Sequence, residues 1–157
     1  MTPVVGCLPC ELEDSAAEAI VFRDETWSCE VAPGYDVPGW YILRLRRHAE
    51  GWEGLLPDEL AGFGGRCAHL SSAIRGVLDA SHVYFMSFGE NYPHFHFLVT
   101  ARGVDTPPDL RGGNILKLRE TDRDMARALA LVPALRVAAA RIEQDNPFTA
   151  TPDRSTP

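Results

Sequence analysis

The chain has 157 residues, 45% of them apolar, enough for one domain that buries a core without disulfide staples. A net charge of −7 at pH 7 argues against the broad positive footprint of a protein that binds extended nucleic acid. No apolar run approaches the ~20 residues of a membrane span, and MTPVVGCLPCELED carries neither the basic nor the apolar region of a secretory signal; the expectation is a soluble cytoplasmic protein whose partner is a small molecule, a nucleotide included.

In chain order, Ala19–Phe22 and Trp27–Val31 read as two strands joined by a tight polar turn at Arg23, Asp24 and Glu25. APGYDVPG is a loop, WYILRL (Trp40–Leu45) is a third strand, and RRHAEGWEGL leads the chain away from it. Pro57, Asp58 and Glu59 mark an acidic helix start. The stripe Leu60, Phe63, Cys67, Leu70, Ile74, Val77 and Leu78 follows at helical spacing, and Asp79 with Ser81 marks the end. Val83–Phe88 and Phe95–Thr100 are strands joined by the short turn GENYP, hence antiparallel neighbours. Beyond Arg102, GVDTPPDLRGG is a loop and ILKL a short strand or extended arm. Residues 119–144 have helical spacing at Met125, Leu129, Val132 and Leu135, with Pro133 expected to kink or split the helix. The closing DNPFTATPDRSTP reads as a disordered tail. The order of strands, helix, strands, helix predicts an α+β fold with an antiparallel sheet.

Four cysteines, unevenly spread, do not make a disulfide framework, and a reducing compartment keeps them as thiols. Cys67 on the helix stripe and Cys29 in a strand read as buried small hydrophobes. Cys7 and Cys10 form a Cys-x-x-Cys pair, and in PHFHFLVTAR the histidines His94 and His96 fall on one strand face. A lone strand histidine is ordinarily a hydrogen-bonded structural residue. Two on one face in a chain that also carries Cys-x-x-Cys favour a metal, because zinc takes four N or S ligands and Cys2His2 is a common closed set. A redox pair is the weaker reading, since no βαβ pattern surrounds the cysteines. His69 points off the helix stripe and His82 starts a strand, so the imidazole donors come from His48, His94 and His96; spacing alone does not choose between the last two.

GENYPHFHFLVTAR resembles the signature strand of the histidine-triad superfamily of nucleotide hydrolases and transferases, whose pattern is H-x-H-x-H followed by apolar residues. The chain-wide order of Cys-x-x-Cys, hairpin, VPGWYILRLRRHAEGWEGL, helix and histidine strand agrees over about residues 6–102. The resemblance implies an α+β fold with an antiparallel sheet of about five strands and a packed helix in residues 1–118, followed by a helical extension (119–144) and the tail (145–157). It makes His96 the nucleophile. His94, Cys7, Cys10 and His48 match the zinc ligands of the zinc-containing branch, which includes galactose-1-phosphate uridylyltransferases, and a closed four-ligand Zn2+ would serve structure rather than water activation.

The resemblance further implies attack on a nucleotide's α-phosphorus through a nucleotidyl-histidine. The substrate would be a dinucleoside polyphosphate, a nucleoside phosphoramidate or a related nucleotide, and the protein a homodimer. Phosphate donors would be Asn91, the backbone about Gly89, and Ser87. Arg102 matches the basic residue that closes the motif, and Arg44, Arg46 or Arg47 would add positive charge. Phe22, Trp27 and residues 31–34 would form the base and ribose pocket. Two departures stand out: Leu98 replaces the third histidine, and Glu90 lies where many members carry a phosphate donor. They motivate two competing readings, a retired nucleotide-binding or scaffold module stabilised by zinc and an enzyme of this type repurposed in a specialised biosynthetic pathway.

Overall fold

A computed structural model describes residues 4–147. Five antiparallel strands, β1 (Ile20–Arg23), β2 (Trp27–Glu30), β3 (Trp40–Leu45), β4 (His82–Met86) and β5 (His96–Arg102), form one sheet in the order β1-β2-β3-β5-β4. The first hairpin turns at Asp24, whose Oδ1 accepts the backbone N–H groups of Thr26 at 2.7 Å and Trp27 at 2.8 Å. The long helix α2 (Pro57–Leu78) connects β3 to β4, and α4 (Met125–Asp145) follows the sheet. Glu59 starts α2 by reaching back to the Leu56 N–H at 2.7 Å, and Asp79 ends it in the left-handed conformation at φ 49°. This is the expected α+β architecture.

The strand register assigns the two faces. Tyr41, Leu43, Phe97 and Val99 point to one side, where α2 and α4 cover them with Leu70, Ile74, Val132 and Leu135. Arg44, Ile42 and Trp40 share the other face with His96, Leu98 and Thr100. That face is covered by Leu12, which follows the one-turn helix α1 (Leu8–Glu11), and by Ile115. Because both faces are covered, β3 is buried along its whole length.

Two expectations give way. ILKL is not a strand: its first three residues close the 3-10 segment Gly112–Lys117 and its last, Leu118, opens α3 (Leu118–Thr121). Pro133 does not split α4, which runs from the Asp124 cap to Asp145, with Val132 and Leu135 packed in the core. Tertiary burial of the helix's apolar face outweighs the local cost of the missing N–H. The expected tail lies mostly outside the described residues.

Candidate metal centre and cleft

One helical turn aligns the two cysteines. The N–H groups of Cys10 and Glu11 both donate to the Cys7 carbonyl, at 2.9 and 3.0 Å, which places thiols three residues apart on one face. His48 sits in the segment leaving β3. Its neighbour Arg47 anchors that segment with a two-pronged ion pair to Glu59, both contacts at 2.6 Å, and a 2.8 Å bond to the Gly54 carbonyl. His94 precedes β5 and forms an isolated bridge with Glu50, while Phe95 N–H donates to the Ala49 carbonyl at 2.7 Å.

These three segments converge. Cys7 Sγ lies 3.8 Å from His48 Nδ1 and 3.5 Å from His94 Nδ1, and Cys10 Sγ lies 3.4 Å from each. All four donor atoms fall within 4.8 Å of one another. A tetrahedral ion with zinc's bond lengths separates its S and N ligands by roughly 3.6 Å, so the donor set fits zinc in chemistry and in spacing. The opposite ring nitrogens are also committed. His94 Nε2 donates to the Leu45 carbonyl at 2.7 Å, and His48 Nε2 lies 3.3 Å from Glu50 Oε1. Both arrangements leave Nδ1 as the lone-pair donor. Burial holds His94 well down, to about 4, so it is neutral and able to ligate at pH 7; burial pushes the Cys7 thiol up to about 11, so a cation must displace its proton.

Two residues on, His96 has a different setting. Its Nδ1 donates to the His94 carbonyl at 2.5 Å, and the ring lines a cleft of about 670 Å³. Burial lowers its pKa, with the carbonyl bond working against that. The neutral ring with Nδ1 protonated keeps its lone pair on Nε2. Leu98 lines the same cleft and gives it an apolar floor with Ile42 and Met86. Gly89, Glu90 and Asn91, from the loop between β4 and β5, also border it, and Gly89 takes φ +71°.

The other expected site residues are distributed elsewhere. Trp27 pairs with Leu45 and Phe22 with Cys29, so both point to the sheet face opposite His96. Trp27 packs against Phe63 and Phe95, and the Phe22 ring lies under the Arg66 guanidinium. Arg102 sits at the far end of β5, bonded to Ser81 Oγ at 2.8 Å and to His82. Exposed Ser87 is not among the residues lining the cleft. Nor do Arg44, Arg46 and Arg47 contribute uncommitted positive charge. Arg44 is paired with Glu30 and Glu13, Arg46 with Glu13, and Arg47 with Glu59. In register, Arg23, Ser28, Arg44 and His96 lie side by side across four strands. This polar lane ends at the histidine, and Glu13 ties its Arg44 to the segment just after Cys10.

Among the cleft residues that sequence reasoning missed, three form a group. Tyr35 comes from the loop before β3, and Arg119 and Arg123 from the segment between the sheet and α4. Arg119 Nε donates to the Gly34 carbonyl at 2.7 Å, and its guanidinium carbon lies 4.0 Å over the Tyr35 ring. The four-residue spacing of the two arginines was the only local signal.

No family model and no curated protein matches the sequence. Solved structures do match. A hypothetical histidine triad nucleotide-binding protein from Sulfolobus tokodaii strain 7 superposes with a TM-score of 0.69 at 16% identity, covering 89% of this chain and 96% of that one. A Zn-bound histidine triad family protein from Mycobacterium smegmatis gives 0.62 at 18% identity, covering 89% and 97%. A uridylyltransferase gives 0.60 at 16% identity, with 87% of this chain matched to 46% of that one. The chain therefore has the histidine-triad fold. Its Cys7, Cys10, His48 and His94 form a Cys2His2 group within that fold.

Proposed function

We propose that the protein is a histidine-triad nucleotide hydrolase or nucleotidyl transferase acting through a covalent histidine intermediate. The observation that carries this reading is His96: it lines the cleft with Nδ1 committed to the His94 carbonyl, which leaves Nε2 as the nucleophilic nitrogen. The Nε2 lone pair attacks the α-phosphorus of a bound nucleotide. The bond from phosphorus to the leaving oxygen or nitrogen breaks, and the leaving group takes that electron pair and a proton from solvent water. Water or an acceptor hydroxyl then attacks phosphorus and gives its proton back to solvent, the P–N bond to His96 breaks with its electron pair returning to Nε2, and the imidazole is restored. Negative charge on the non-bridging oxygens is met by the Asn91 side chain and the N–H groups about Gly89, which border the same cleft.

In this reading Cys7, Cys10, His48 and His94 hold a structural Zn2+, which supplies a cross-link between the amino-terminal turn and the histidine strand. Residues 1–118 are the catalytic domain, and 119–144 an extension that supplies one wall of the cleft. The reading carries a homodimer and a cytoplasmic location; no helix among the described residues is long and apolar enough to cross a membrane. The deciding experiment mixes the metal-loaded protein with a pool of nucleotide substrates, quenches in base and measures intact mass, with His96→Asn beside it. A nucleotide-sized gain in the parent protein alone establishes the intermediate and names the nucleotide. Unconsumed substrates and no gain refute it.

A further inference from the structure

The wall of the cleft contributed by residues 116–123 carries two arginines. Arg23, Arg44, Arg46, Arg47 and Arg66 are each matched to a carboxylate, and Arg102, Arg111 and Arg136 bond neutral groups outside the cleft. Inside the cleft, Arg119 is fixed by neutral groups, the Gly34 carbonyl and the Tyr35 ring, and its two Nη groups have no carboxylate partner among the described residues. Arg123 has no hydrogen bond or ion pair among them at all. Gly34 itself takes φ +81°, a conformation that favours glycine, and its N–H donates to Asp36 Oδ1 at 2.8 Å.

A guanidinium immobilised by stacking loses little further freedom on binding an anion. The cleft also needs such a donor, because Leu98 offers no hydrogen bond. Glu90 and Glu120 line the same cleft, so it is not uniformly positive and an anion is favoured only beside the two guanidinium groups.

We propose that Arg119 and Arg123 form a second anion subsite in this cleft, distinct from the phosphorus that His96 attacks, and that the substrate carries a further anionic group, a phosphate in the simplest case, that reaches it. The proposal rests on the His96 reading of the cleft for which anion is attacked, and its test separates the two.

The metal-loaded protein is titrated calorimetrically with the 5′-mono- and diphosphates of adenosine, guanosine and uridine, and with inorganic pyrophosphate. The best diphosphate should bind at least about tenfold more tightly than its monophosphate. The double variant Arg119→Ala/Arg123→Ala should bring that ratio to about one with the monophosphate affinity unchanged, and Arg123→Ala alone should lower it in the same direction. Arg127→Ala, which removes an equal charge outside the cleft, should leave the ratio intact. Equal affinity for the two nucleotides in the parent protein, or a preference that survives the double variant, overturns the subsite and leaves the His96 reading standing. Pyrophosphate binding that depends on both arginines, with no nucleotide bound, keeps the subsite and overturns the nucleotide reading. Binding of none of the probes overturns both.

Discussion

His94 and His96 stand two residues apart at the start of one strand, yet their surroundings give them opposite chemistry. His94 is 1% exposed, with Nε2 on a carbonyl and Nδ1 facing two thiols and a second imidazole. His96 is half-buried, with Nδ1 on a carbonyl and the other nitrogen on the cleft side. Both rings therefore use a backbone oxygen to fix a tautomer, and they use it on opposite nitrogens. What a histidine does here is set by which nitrogen is already occupied and by what the remaining one meets.

The contrast can be broken from the His96 side first, where the largest effect is expected. His96→Asn should lower turnover by at least about 10⁴-fold, equivalent to roughly 5.5 kcal/mol of barrier, with an unchanged melting temperature. Comparable turnover in that variant, read by nucleotide product formation, refutes nucleophilic catalysis at this position.

His94→Asn should do the reverse. It removes a metal ligand, so stability falls, while the cleft residues other than His96 itself keep their backbone positions. Removing the ion from the parent protein should have the same effect. An ion present at about 1,000 times its dissociation constant contributes about 4 kcal/mol, which for a domain of this size is roughly 8–16 °C in melting temperature. Calorimetry with and without a chelator measures it, and coincident melts would remove the metal from the account.

Between the two histidines and the metal turn lies the buried Arg44, paired with fully buried Glu30 at 2.8 Å. Arg44→Met leaves that carboxylate without its principal partner, and denaturant unfolding should show a loss of about 3 kcal/mol. A neutral outcome would mean that burial, which already pushes Glu30 upward, keeps it protonated.

Glu13 gives the smallest effect and the one that depends on pH. Arg46 and Arg44 hold its carboxyl down to about 2, from an ordinary 4.5. Because the folded value is the lower one, its contribution is complete above about pH 4.5 and disappears as pH falls through 2. Melts of Glu13→Gln should accordingly be lowest relative to the parent near neutrality and converge with it in acid. A gap that does not narrow would place the stabilisation elsewhere.

The strands and α2 were legible because alternation and the 3.6-residue period survive in a single sequence: WYILRL lies at Trp40–Leu45 as expected, and α2 ends at Asp79. The cysteine pair was legible from its spacing, whereas His48 and the choice of His94 over His96 needed the family resemblance, since nothing local records contacts that span 38 to 87 residues. Phe22 and Trp27 illustrate a signal that was present and unused. Arg23, Ser28, Arg44 and His96 share a face in register, and parity alone then sends Phe22 and Trp27 to the other side. Arg119 had no such signal. Its place in the cleft depends on a carbonyl 85 residues earlier in the chain.

The metal group also has a meaning for how distant parts of the chain are joined. A cation joining Cys7 to His94 closes a loop across 87 positions of sequence. A covalent cross-link of that span would remove roughly 4–5 kcal/mol of freedom from the unfolded ensemble in the chain-entropy picture, whereas an ion that leaves on unfolding acts through its affinity for the folded state. A cation would join the same positions that a disulfide joins in a secreted protein, with no oxidant. A cell that keeps its thiols reduced could still make such a join, and a chelator, not a reductant, would be the reagent that undoes it.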